Sequence, residues 1–183
     1  MALHSVVLLV PVHVDDGLGV TNSHSLYLWF LTSLSRRLHI VNLSICSKFL
    51  SIVIVHDRTT RRLWLSSQVY VTELLTDWNM LSCHPTSTPL ASTPLSTASG
   101  NSLPDVSDAD LKTKYQWLVG CLLYLAVSTH PDIAFASMWL GQFSSNPSRS
   151  HFLAAKHVLR YLAGSRDLAL SYGAPHASTP STL

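Results

Sequence analysis

The hydrophobic pattern changes period several times along the chain. Residues 5–14 (SVVLLVPVHV) form an apolar, β-branched run that reads as a strand; Asp15-Asp16-Gly17 is a turn signal and Leu18-Gly19-Val20 begins the return strand. The period then becomes helical. Leu26, Phe30, Leu34 and Leu38 recur every four residues with Arg36 and Arg37 off the stripe, which predicts an amphipathic helix to about residue 38, capped by Asn22 or Ser23. Residues 49–55 (FLSIVIV) and 63–65 (LWL) read as two strands joined by the polar loop HDRTTRR. Ser66-Ser67 then offers a cap for a helix to about Trp78, with Val71, Leu74, Leu75 and Trp78 on its apolar side. The first eighty residues therefore read as α+β.

Between Ser82 and Ser107, 15 of 26 residues are Ser, Thr or Pro, too few apolar groups to offset the entropy of ordering the backbone, so 82–107 is expected to be a linker. Beyond it the pattern is helical again. Asp108 caps a helix to about Ser128, Pro131 sits in the first turn of another, and Asn146 or Ser148 precedes a third ending at Gly164. Trp117, Tyr124, Trp139 and Tyr161 fall beside leucines on apolar faces and are expected in a core rather than as base-stacking platforms. The predicted organisation is 1–81, linker 82–107, helical subdomain 108–172 and disordered tail 173–183.

Composition narrows the function. Charged residues are 12% of the chain, about half the usual share of roughly 25%, and the net charge is only +2, so no global basic footprint for nucleic acid exists and any such contact needs a local patch. Three cysteines without CxxC pairing argue against a disulfide framework or a zinc site and for a reducing, intracellular location, cytoplasmic or nuclear. The apolar start lacks a basic n-region and a cleavage site, and the run 117–127 is too short to span a bilayer, so neither secretion nor a membrane partner is expected.

Five stretches in order resemble the reverse transcriptase of copia-type retrotransposon Pol polyproteins. HVDD at 13–16 is similar to that family's YVDD box, and residues 49–80 to FLGIxI…LxLSQxxYxxxLLxxFxM. CHPTSTPL at 83–90 resembles CxPxxTPL, YQWLVGCLLYLAVSTHPDIAFA at 115–136 resembles YRxLVGxLLYLxxxTRPDIAxA, and HFLAAKHVLRYLAGSRDLALSY at 151–172 resembles HxxAAKRVLRYLxGTxDxGLxY. The resemblance implies part of an RNA-directed DNA polymerase: a partial palm of hairpins and helices followed by a small helical, thumb-like subdomain.

It implies that Asp15 and Asp16 are the hairpin carboxylates, which with a third aspartate hold two magnesium ions for nucleotidyl transfer onto a template-primer of RNA or DNA. It also implies nucleic-acid contacts for His13 and for Phe49, Leu50 and Ser51 of the primer-grip-like hairpin; Lys156 and Arg160, four apart on the last helix, read either as a thumb surface following phosphates or as a solvated helix face. His13 stands in place of tyrosine, Ser51 of glycine, and His130 of arginine. The fingers and the palm strand with the third aspartate have no counterpart, and no acidic residue precedes Asp15, so the magnesium site is expected to be incomplete and the chain inactive by itself. The alternative is a non-catalytic remnant that binds nucleic acid or the remainder of the polyprotein through apolar surface left uncovered.

Overall fold

A computed structural model describes residues 5–91 and 108–173. Its helices and short antiparallel sheets give the mixed α+β content expected from the alternation of periods. The chain divides into two compact units, residues 1–50 and 51–183. Among the described residues no helix is long and apolar enough to cross a membrane.

The first unit is a hairpin and a helix. Strands β1 (Leu8–Leu9), β2 (Val12–His13), β3 (Asp16–Gly17) and β4 (Val20–Thr21) keep one antiparallel register, with Leu8 opposite Thr21 and His13 opposite Asp16. Asn22 closes its base, accepting from Val7 N–H at 2.9 Å and donating to the Ser5 carbonyl at 2.9 Å. Helix α1 (His24–Ser35) starts at Ser23, whose hydroxyl accepts the Leu26 N–H, an N-cap that satisfies an otherwise orphaned donor. The Tyr27 ring lies against Gly19, where a Cβ would meet it at 3.2 Å. β5 (Lys48–Phe49) ends the unit. No described residue of this unit is buried, and Trp29, Val41, Leu43 and Ile45 are each more than 60% exposed.

Among the described residues, all seventeen buried hydrophobic ones lie in the second unit, between Val71 and Leu162. Its sheet joins β6 (Ile52–Asp57), β7 (Arg62–Ser66) and β8 (Leu170–Gly173) antiparallel in that order. Asp57 organises the β6–β7 loop by accepting from the Thr59 and Thr60 hydroxyls and Thr59 N–H, bonds that hold its carboxyl well below the usual range.

Helix α2 (Gln68–Asp77) buries Val71, Leu74 and Leu75. Helix α3 (Asp108–Ser128) buries Tyr115, Leu118, Val119, Leu122, Leu125 and Ala126, the three-and-four spacing of one helical face. A 3₁₀ turn (Pro131–Ile133) leads into α4 (Ala134–Gly141), and α5 (Arg149–Ser165) buries Ala155, Val158, Leu159 and Leu162. The Tyr115 hydroxyl donates to the Leu140 carbonyl at 2.6 Å, and burial pushes its pKa up to about 12.

Three expectations change. Residues 82–91, assigned to the linker, lie against α5: Thr86 N–H donates to the Arg160 carbonyl at 3.3 Å, Arg160 Nε to the His84 carbonyl at 2.9 Å, and Leu90 packs on the core. Their backbone is ordered by α5 itself, which a composition argument does not see. The remaining linker residues, 92–107, and residues 174–183 of the tail lie outside the described residues.

Gly164 does not end α5 but lies inside it, where a Cβ would come within 2.9 Å of Pro85. Trp117 is half exposed, its ring tilted against Trp78 at 5.6 Å, while Trp139 and Tyr161 border the core, Tyr115 occupies it, and Tyr124 meets the Tyr70 ring edge-on at 5.1 Å.

Candidate active-site hairpin and basic helix

The aspartate pair is displaced by one residue from the place its sequence suggests. Asp-Gly is a strong turn signal, yet Gly17 pairs with Val12, so the two-residue turn is Val14-Asp15 and Asp16 is already in the return strand. Val14 has φ +55° while Asp15 does not enter the left-handed region, the order of a type II′ turn, in which glycine is normal at the first position. A β-branched residue at such a φ is strained by about 1–3 kcal/mol. The register along the whole hairpin outweighs the local signal.

Asp15 therefore caps the tip, and Asp16 faces the same side as His13, its direct cross-strand partner. Leu9 and Val20 share that side and are 61% and 53% exposed. Both aspartates are exposed. No three His, Cys, Asp or Glu side chains converge on a possible metal position among the described residues. Adjacent carboxylates on an open hairpin do not by themselves fit the ligand set that two-metal transfer requires.

Of the primer-grip-like residues, Phe49 belongs to β5, and Leu50 and Ser51 both have positive φ, +49° and +63°. That backbone explains why the resembling family pattern has glycine at position 51, independently of any approach to a primer. Ser51→Gly is expected to raise stability by about 1 kcal/mol through relief of left-handed strain. A denaturation midpoint that stays put or falls, at unchanged m-value, contradicts this.

Lys156, His157 and Arg160 of α5 are engaged within the chain. Lys156 Nζ lies 5.8 Å from the Trp78 ring centre and 5.3 Å from that of Phe152, a cation–π arrangement. Arg160 Nε donates to His84, and His157 Nε2 is 3.1 Å from the Thr88 carbonyl. Arg160 and His157 thus fasten residues 84–88 to the helix. The spacing of Lys156 and Arg160 on the helix predicts phosphate contacts or a solvated face, and neither accounts for these intrachain partners. The CHPTSTPL stretch was the available signal that the helix has a neighbour here.

Ser148 caps α5 reciprocally with His151, whose Nδ1 accepts the Ser148 backbone N–H at 3.0 Å, so imidazole takes the place of the usual Glu or Gln of a capping box. His151 also stacks on Phe143 at 3.9 Å. Periodicity singled out Ser148 but gave no reason to expect a histidine partner.

No protein-family model matches the chain, and no solved structure matches it. It is 34% identical over 167 residues, 91% of its length, to the retrovirus-related Pol polyprotein from transposon TNT 1-94 of Nicotiana tabacum. It is 38% identical over 162 residues, 88% of its length, to that from transposon RE2 of Arabidopsis thaliana. The matches span 13% and 10% of those much longer proteins. The putative transposon Ty5-1 protein of Saccharomyces cerevisiae is 31% identical over 164 residues, 89% of this chain and 51% of that one. The chain thus belongs to the copia-type retrotransposon Pol polyproteins, as the homologue of one stretch of those longer proteins.

Proposed function

We propose that this chain is the stretch of a retrotransposon reverse transcriptase that carries the polymerase hairpin and part of a thumb-like helical subdomain, and that it does not polymerise by itself. The observation that carries this reading is Asp15 held in a strained two-residue turn with Asp16 beside it, within a segment homologous to Pol polyproteins. Strain persists where surrounding structure imposes it, and it concentrates at functional sites. Nucleotidyl transfer by two metals needs further ligands, and no third carboxylate joins the pair among the described residues. Among the described residues, Asp15 and Asp16 are therefore the two side chains that would hold a magnesium ion, and no further group joins them.

Purified chain, given a primed RNA or DNA template, nucleotides and magnesium, is expected to leave the primer unextended. Extension that disappears in Asp15→Asn overturns the reading.

A second reading, a partner-binding segment of the polyprotein, is favoured by the absence of buried side chains among the described residues of the first unit. Apolar side chains such as Trp29, Leu43 and Ile45 form the kind of surface that another polypeptide covers, and the relatives that contain this stretch are several times longer. Chain without that partner is expected to bind a hydrophobic dye and self-associate. A monomer that leaves the dye dark contradicts it. Nucleic-acid binding through α5 predicts a gel shift that weakens steeply with salt and is lost on joint Lys156→Ala and Arg160→Ala substitution.

A further inference from the structure

Away from the hairpin, the corner joining α3 to α4 holds a polar group that nothing above uses. His130 is 1% exposed, its N–H donates to the Leu125 carbonyl at 2.8 Å, and its carbonyl accepts from Ile133 N–H at 3.1 Å. Neither ring nitrogen has a hydrogen-bond partner. Nδ1 lies 3.4 Å from Asp132 Oδ1, beyond a well-formed N–H···O bond. Asp132 has 31% of its side chain open to solvent, and a hydrogen bond to its carboxylate pushes the neighbouring Tyr161 hydroxyl pKa up.

The other neighbouring elements bring little charge. Residues 118–128 of α3 carry only Cys121 and Tyr124 as titratable groups, and α4 carries none. On α5, His157 and Arg160 are turned to the Thr88 and His84 carbonyls.

Neutral imidazole fits this position at the cost of one unpaired N–H. Imidazolium does not: it has two donors, of which one faces Asp132 and the other meets no acceptor. Burial pushes the His130 pKa down, and Asp132 only partly opposes that. The Pro131–Ile133 turn is three residues long, so little structure resists its opening, and the exposure of Asp132 marks the route to water.

We propose that His130 is an acid-released latch: taking one proton from solvent drives its side chain out of the corner and opens the 131–133 turn while the α3 core stays closed. The sign follows from linkage. The open state, with an ordinary imidazole, binds the proton below pH about 6.5 and the closed state does not, so acid favours opening.

Native-state hydrogen exchange on the full chain between pH 7.5 and 5, corrected for intrinsic rates, tests it. Protection at the His130 and Ile133 amides is expected to fall by up to about tenfold per pH unit below 6.5, the limit for one proton, while Leu122 keeps its protection. His130→Phe, or His130→Gln if the first does not fold, is expected to abolish that fall. Asp132→Asn is expected to deepen it, because the closed state loses the carboxylate that favours the charged ring. A flat profile in the natural chain, or a fall that survives in the His130 variant, overturns the proposal.

Discussion

Residues 51–183, expressed without the first fifty, are expected to melt as a cooperative monomer with Tm within a few degrees of the full chain, whereas residues 1–50 alone are expected to show no cooperative transition. Full burial of an apolar side chain is worth about 1.5–3 kcal/mol, and among the described residues every fully buried one lies between Val71 and Leu162. The first unit has a capped helix and a register-true hairpin, but isolated helices of its length and two-stranded hairpins are marginal in water. Calorimetry and sedimentation of both pieces decide the matter. Loss of the cooperative transition from 51–183 means that the first unit contributes stability its exposure does not reveal.

Gly164→Val is expected to lower stability by about 2 kcal/mol and to free residues 84–88 from α5. Two effects oppose each other. Glycine inside a helix costs about 1 kcal/mol relative to alanine, and valine recovers only part of that. Against it, a Cβ at 164 meets Pro85 at 2.9 Å, and overpacking of this kind costs about 1–3 kcal/mol even before the two branched methyls are placed. Moving Pro85 away also breaks the Arg160 to His84 bond. Faster exchange at the Thr86 amide, which donates to Arg160, together with a lower denaturation midpoint, is the expected result. A stabilised variant with an unchanged Thr86 amide means that the contact yields easily.

Local signals carried much of the architecture. Ser23, Ser67 and Ser148 lie at the starts of α1, α2 and α5, though Ser67 makes no side-chain cap bond, and the apolar spacing correctly picked Val71, Leu74 and Leu75 as buried. What local signals missed was decided by distant partners. β8 contains only Leu170 to Gly173 and exists through pairing with β7. Residues 82–91 look like linker because their own composition cannot bury them, and they are held by a helix some seventy residues away. The Val14-Asp15 turn contradicts the Asp-Gly signal because a register running from Leu8 to Thr21 fixes it. At the candidate site the acidic pair was legible as a pair. Its setting was not, because whether other carboxylates converge on it depends on tertiary structure.

The pairing of Leu63 with Tyr172 also sets an order of events during synthesis. β7 pairs with β6 almost at once, since the two are joined by a short loop, but its other edge waits for a strand about a hundred residues further on. At about 5–20 residues per second, the ribosome leaves that edge, with Leu63 and Trp64 on it, unpaired for about 5–20 s. An open apolar edge is a template for pairing with other chains. The hazard at this edge therefore falls in the interval between synthesis of β7 and of β8, and slower translation of residues 67–169 lengthens it.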